Sequence, residues 1–366
     1  MNTSYCLPDT RAYPTDHIKN ELLLHAASLV TPTSKAQTTL ARESLQAEIT
    51  RMLAQNNYTN LSVALAMAAN RDIYNILWDT LEAILQAHNQ TEVQWLALPV
   101  IVVGGAKENI RLPDTIPATA IAETFKNQPW SESWNKIHWA AHLISDTALT
   151  HIKANQWFAA KQNPQLATKF LSQLPHTPLS VESGQSVQAF YALGFASTDI
   201  RPALNCNLAD TALPLMQVWH THLATTGTTL FINPLSPQSP LSALRTGNAM
   251  RLRMACDVFT TNAIRTIRLQ SPRVGVVIAA QEGGKILFGF NAADSAFELQ
   301  PQTFHWPLTQ ADNIDSIVQN FIDLLAECQV ENIRLLHEPI SIQTQLPSYA
   351  QSIRMIGHNP LFSRSH

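Results

Sequence analysis

Residues 241–269 read LSALRTGNAMRLRMACDVFTTNAIRTIRL, and the rest of the chain takes its place around that run. Leu241, Leu244, Leu252, Ala255, Phe259, Ala263 and Ile267 recur at steps built from three and four residues, which puts them on one face of an α-helix. The spacing predicts one long helix from Leu241 to about Leu269. Gly283-Gly284 then divides two apolar runs and predicts a tight hairpin. Between 239 and 291 stand Arg245, Arg251, Arg253, Arg265, Arg268, Arg273 and Lys285, opposed only by Asp257 and Glu282, in a protein of formal net charge −3. Every cation on the helix itself is arginine, whose planar fork suits carboxylate or phosphate.

On the C-terminal side, Arg273–Ala280, Lys285–Phe290 and Ala296–His305 read as an antiparallel meander. Ile314, Ile317, Val318, Phe321 and Leu325 mark the inward face of a final helix, Ala311–Cys328, and Val330–Leu336 can add a strand. This segment is acidic. Asp294, Glu298, Asp312, Asp315, Asp323, Glu327, Glu331 and Glu338 face Arg334 alone, so the basic helix is expected to pair first with its own domain.

On the N-terminal side, Pro234, Pro237 and Pro240 form a stiff connector. Before it, Val93–Val103 is an apolar run rich in β-branched residues, ended by Gly104-Gly105, and reads as a buried strand. Gln185–Ala196 alternates as a second strand and Thr228–Ile232 as a short third. Trp134, Ile137, Ala141, Ile144, Ala148 and Ile152 predict a helix over 131–152. Residues 15–85 carry helical spacing almost throughout, with Thr33 or Ser34 as a cap. The expected fold is α/β (α+β). It comprises a helical N-terminal region (1–90), a central small α/β sheet (91–235), a C-terminal domain of long helix, antiparallel meander and final helix (236–340), and a tail (341–366).

Composition narrows the classes of function. The chain is 366 residues long, 45% hydrophobic and only 14% charged, and its slightly acidic balance argues against a nucleic-acid binder. No apolar run approaches the roughly 18 residues of a membrane span. Asp9, Asp16 and Glu21 stand where a signal peptide would be basic, and Cys6, Cys206, Cys256 and Cys328 are scattered without a CxxC. The expectation is a soluble, cytoplasmic protein with reduced thiols and no cofactor.

Chemistry is sparse. His138 and His142 form an HxxxH pair, with Asp146 one turn on, that could chelate a metal from one helix face, but Trp139 stands where HExxH enzymes carry glutamate. His220 and His222 would share a face on a strand, whereas their surroundings are helical and turn them apart. Lys107 and Glu108 follow the first central strand, and Asp199 and Arg201 follow the second. In open α/β sheets such strand-end loops bind ligands. Two functions follow from these readings. One is a non-enzymatic protein that binds a protein partner or associates with itself. The other is an enzyme on a small anionic substrate, using Lys107, Glu108, Asp199 and Arg201 with Arg245 or Arg251.

Overall fold

The structure, a computed structural model, describes residues 5, 7–11, 20–31, 34–55, 57–87, 93–104, 110–127, 131–150, 160, 163–174, 179–181, 186–197, 212–224, 230–293 and 302–340. It is an α/β fold whose residues group into two units. The first draws on Met1–Leu81 and Met254–Asn359, the second on Glu82–Arg253. The N-terminal helices up to Leu81 and the chain from Met254 fall in the first of these units.

The first unit opens with α1 (Glu21–Val30), α2 (Lys35–Ala54) and α3 (Tyr58–Ala66), then α4 (Arg71–Ala87), which crosses the unit boundary. Local side chains start them. Asn20 accepts from the Leu22 N–H and Ser34 from the Gln37 N–H, each satisfying a donor that the helix leaves open.

In the second unit the apolar run becomes β1 (Gln94–Gly104), followed by β2 (Ile110–Arg111), α5 (Ala118–Thr124), α6 (Ser131–Asn135), β3 (His138–Trp139), β4 (Ile144–Ser145) and α7 (Asp146–Thr150). Next come α8 (Pro164–Ser172), β5 (Ser180–Val181), β6 (Ser186–Ala196), α9 (Ala212–Leu223) and β7 (Leu230–Pro234). β6 and β7 flank β1, both antiparallel to it, and β3 and β4 pair in turn with the far side of β6. β2 and β5 make a separate two-stranded ribbon. Alternation along β1 sends Leu96, Leu98, Val100 and Val102 into a core with Phe125, Trp134, Leu215 and Trp219. On the opposite face Trp95 meets the Phe170 ring edge-on at 5.4 Å.

The helix predicted over 131–152 is not formed. Trp134, Ile137, Ile144 and Ala148 are buried and Ala141 is exposed, but α6, β3, β4 and α7 divide the segment. Ala140 N–H donates to the Leu193 carbonyl, and His138 and Trp139 pair with Phe195 and Gly194. The open edge of a long buried strand needs backbone partners, and that demand outweighs a three-four apolar spacing.

The long helix is α10 (Pro240–Arg268), one residue from its predicted start. Pro240 suits the first helical position because its missing N–H would have no helical partner there. Just before it, Ser239 donates its hydroxyl to Glu82, as does Ser242 at 2.5 Å, so a carboxylate sits at the positive end of the helix dipole. Residues of α10 up to Arg253 belong to the second unit, and those from Met254 to the first.

The first unit closes with β8 (Val274–Gln281), β9 (Lys285–Ala292), β10 (Gln302–Pro307), α11 (Ile314–Glu327) and β11 (Asn332–Ile340). β8, β9 and β10 form the expected meander, and β11 joins β8 in parallel, making the sheet mixed. Gly283 and Gly284 turn the hairpin at φ +80° and +71°, a region that side chains with a Cβ resist. Phe288 stacks on Phe321 at 3.9 Å while Phe259 meets Phe290 and Phe304, so α10 and α11 cover one face of this sheet.

On β10, His305 is 3% exposed with Nδ1 2.7 Å from Gln281 Oε1. Burial first, and the Lys285 charge second, hold its pKa below the ordinary imidazole value. The unfolded chain therefore takes the proton first as pH falls. This stability is complete above about pH 6.5 and is lost below it. Replacing His305 with Gln is expected to narrow the fall in Tm between about pH 7.5 and about pH 5.5, as read by circular dichroism.

Candidate functional site

The arginines of α10 are the natural place to look, and the structure gives each a different surrounding. On the stripe Leu244, Gly247, Asn248, Arg251, Leu252 and Ala255, every residue is buried. These positions are spaced by three and four residues with a polar middle, so Arg251 lies within the inward face instead of beside it. Its guanidinium is 3.6 Å from the Asp146 carboxylate, with the two side chains 5% and 16% exposed. Tyr191, wholly buried at the centre of β6, lies against the same turn, and Gly247 leaves room for its ring. Burial and the nearby Asp146 charge push the phenol pKa up, with Arg251 pulling weakly the other way. Asn248 Nδ2 donates to the Leu244 carbonyl at 2.9 Å and to the Tyr191 hydroxyl at 3.4 Å.

This polar cluster holds the first half of α10 to the sheet of the second unit. A buried guanidinium is tolerable only with a carboxylate beside it, and Asp146 supplies one. Arg251 is therefore answered within its own unit instead of by the acidic segment after residue 292. Arg245, six residues earlier and on another side of the helix, is half-buried. The structure does not bring the two sequence-selected arginines to one surface.

Farther along, Arg268 Nη2 donates to the carbonyls of Cys328 and Gln329 at 2.8 and 3.1 Å, just past the end of α11. The basic helix does reach the acidic one at this point, through carbonyl oxygens that a helix end leaves without N–H partners. Arg265 is exposed. It lines a groove of about 360 Å³ with Thr261, Ile264, Arg268, Leu269 and Cys328. Burial raises the Cys328 thiol pKa, which does not favour the reactive thiolate.

The spacing of the histidine pairs does not place them on one helix face. His138 lies on β3 with its ring stacked on Phe195, while His142 sits beyond that strand, bridged to Thr115 and 3.4 Å from Asp114. Without a continuous helix the i, i+4 geometry is gone, and Asp146 is committed to Arg251. On α9, His220 is exposed, whereas His222 Nε2 contacts the Thr115 carbonyl at 2.6 Å. Among the described residues, no three His, Cys, Asp or Glu side chains are placed to hold a metal ion. None of the described helices is long and apolar enough to cross a membrane.

Lys107, Glu108, Asp199 and Arg201 lie outside the described residues. The strands that lead to them do not. Because β1 and β6 are antiparallel, Gly104 stands opposite Ser186 and Ala196 opposite Gln94. The two strand ends are thus separated by the whole pair, about 33 Å at the rise of an extended chain. The strand-end rule belongs to parallel sheets, where neighbouring strands finish on the same side.

A second groove was not signalled by charge or motif. Met216, Gln217, His220 and Thr221 of α9 and Leu230, Phe231 and Ile232 of β7 line about 220 Å³ at the edge of the antiparallel sheet. Phe231 is 54% exposed, and Leu213, on the same outer side of α9, is 60% exposed. Leu235 N–H donates to the Pro99 carbonyl, so the alternation of an antiparallel pair turns the Ile232 N–H and C=O away from β1. Among the described residues no strand pairs with that edge. In the sequence the only trace was a phenylalanine out of step with the inward-facing Leu230 and Ile232.

Comparison with protein families, characterised proteins and solved structures gives no match for this chain. Its class is defined by its own architecture, an α/β protein with one antiparallel and one mixed sheet.

Proposed function

We propose that this protein acts by binding a partner protein, and that the partner adds an extended segment to the outer edge of β7. The observation that carries this reading is Phe231, an aromatic half in solvent on an edge strand, beside a groove walled by Met216 and His220. Natural sheets usually guard such edges with lysine, proline, a bulge or a covering element, and β7 has a proline only at its last residue, Pro234. β7 carries no charge at all in Leu230-Phe231-Ile232-Asn233-Pro234. Exposed aromatic and methionine side chains are what partner interfaces enrich. A segment laid along this edge gains main-chain hydrogen bonds from Ile232, while its alternate side chains reach the groove.

The test pans the full chain against displayed random peptides and measures the selected ones by fluorescence anisotropy. Binders are expected to alternate apolar and polar residues and to slow amide exchange at Ile232. Phe231→Lys is expected to weaken them at least about tenfold. Binders that leave Ile232 exchange unchanged and tolerate Phe231→Lys would overturn the strand-addition reading.

A further inference from the structure

The groove at the end of α10 belongs to the other unit and differs in chemistry. Thr261, Ile264, Arg265, Arg268, Leu269 and Cys328 line it, so its only fixed charges are two arginines. Its apolar side is unusually open, since Leu269 is 81% exposed, the most exposed of the large hydrophobic residues described.

Both arginines could be spent on helix ends, because α10 and α11 finish here and each end carries partial negative charge. The geometry separates them. Arg268 answers the carbonyls of Cys328 and Gln329 by direct hydrogen bonds. Arg265 makes no hydrogen bond or ion pair among the described residues. Asp257 and Glu327 lie within electrostatic reach of Cys328, yet neither lines the groove. An apolar floor beside an uncommitted guanidinium complements a ligand that offers a carboxylate and an apolar side chain one helical turn apart.

We infer that this groove docks an acidic amphipathic segment of a protein partner, with a carboxylate on Arg265 and an apolar side chain against Ile264 and Leu269. The inference does not depend on the β7 reading, because it uses other residues in another unit. If both hold, the protein joins two partner segments of different character.

The test uses the full chain and a fluorescein-labelled amphipathic helix of leucine and glutamate, with a counterpart carrying lysine for glutamate. Fluorescence anisotropy is expected to show the glutamate peptide binding, the lysine peptide not binding, and affinity falling as salt rises. Arg265→Glu is expected to weaken binding about tenfold, with most of the loss in the association rate. Leu269→Ala weakens it while leaving its salt dependence intact. Both substitutions are at exposed sites and are expected to keep the wild-type melting curve, whereas Phe231→Lys leaves this binding unchanged. Equal affinity for the two peptides, or no response to Arg265→Glu, would refute the site. Binding of phosphatidylserine vesicles in place of the peptide, or a dimer in light scattering that Leu269→Ala dissolves, would replace the acidic segment with another occupant.

Discussion

Asp146→Asn is expected to lower stability by about 3 kcal/mol, because it strands a buried charge in the second unit. Asparagine keeps the shape of the side chain but removes its charge, and the Arg251 guanidinium, 5% exposed, then loses the carboxylate 3.6 Å away. A guanidinium does not escape by losing its proton, so the penalty is felt in full. The measurement is urea unfolding, with the midpoint shifting and the slope unchanged. Replacing both partners with apolar residues, Asp146→Leu with Arg251→Met, is expected to recover most of the loss, since it leaves no charge stranded. If the single and double variants are equally destabilised, packing and not charge dominates the cluster.

The second large effect is steric. A Cβ at Gly247 would lie 2.6 Å from the Tyr191 hydroxyl and 3.0 and 3.1 Å from its Cε1 and Cζ. The Tyr191 ring is wholly buried in the middle of β6 and cannot swing aside, so α10 must lift from the sheet. Gly247→Ala is expected to cost about 2–3 kcal/mol even though alanine is the better helix former. Adding Tyr191→Phe removes the closest contact and is expected to restore part of the loss. The two changes then combine non-additively in a double-mutant cycle. Strict additivity would mean that the helix adjusts elsewhere.

How far the sequence could be read depended on what kind of force set each element. α10 and the Gly283-Gly284 hairpin were legible because local signals decide them. These are a long three-four apolar spacing and two glycines where φ must be positive, while Pro240, read as connector, is the first helical residue. The segment 131–150 was misread because its geometry is set from outside, by the bare backbone edge of β6. The direction of β1 was equally hidden. Burial on both faces makes a strand uniformly apolar whether its neighbours run parallel or antiparallel, so Val93–Val103 did not say at which end its neighbours finish.

The candidate sites show the same division. Arg251 could have been placed inside from Gly247-Asn248, since a glycine and an amide on the same helical stripe mark a close approach with a polar lining. Counting charges instead suggested pairing with the acidic segment after residue 292. The edge at β7 had no signal except Phe231 out of phase with its neighbours. Which side of a five-residue strand lacks a partner is decided by sheet order, and sheet order is not written locally.

The parallel seating of β11 against β8 has a consequence for how the molecule assembles. β8 and β9 are joined by a three-residue turn, and β10 follows β9 after residues 293–301, whereas β11 returns to β8 only after the chain from 282 to 331 has been laid down. Closing that longer loop costs more entropy, so the outer strand docks last. Until it does, the open side of β8 is a naked ladder of apolar residues, Val274 to Ala280, able to pair with any neighbouring chain. A nascent or truncated chain ending before Asn332 would hold the meander and lack its guard, and aggregation would begin from that side.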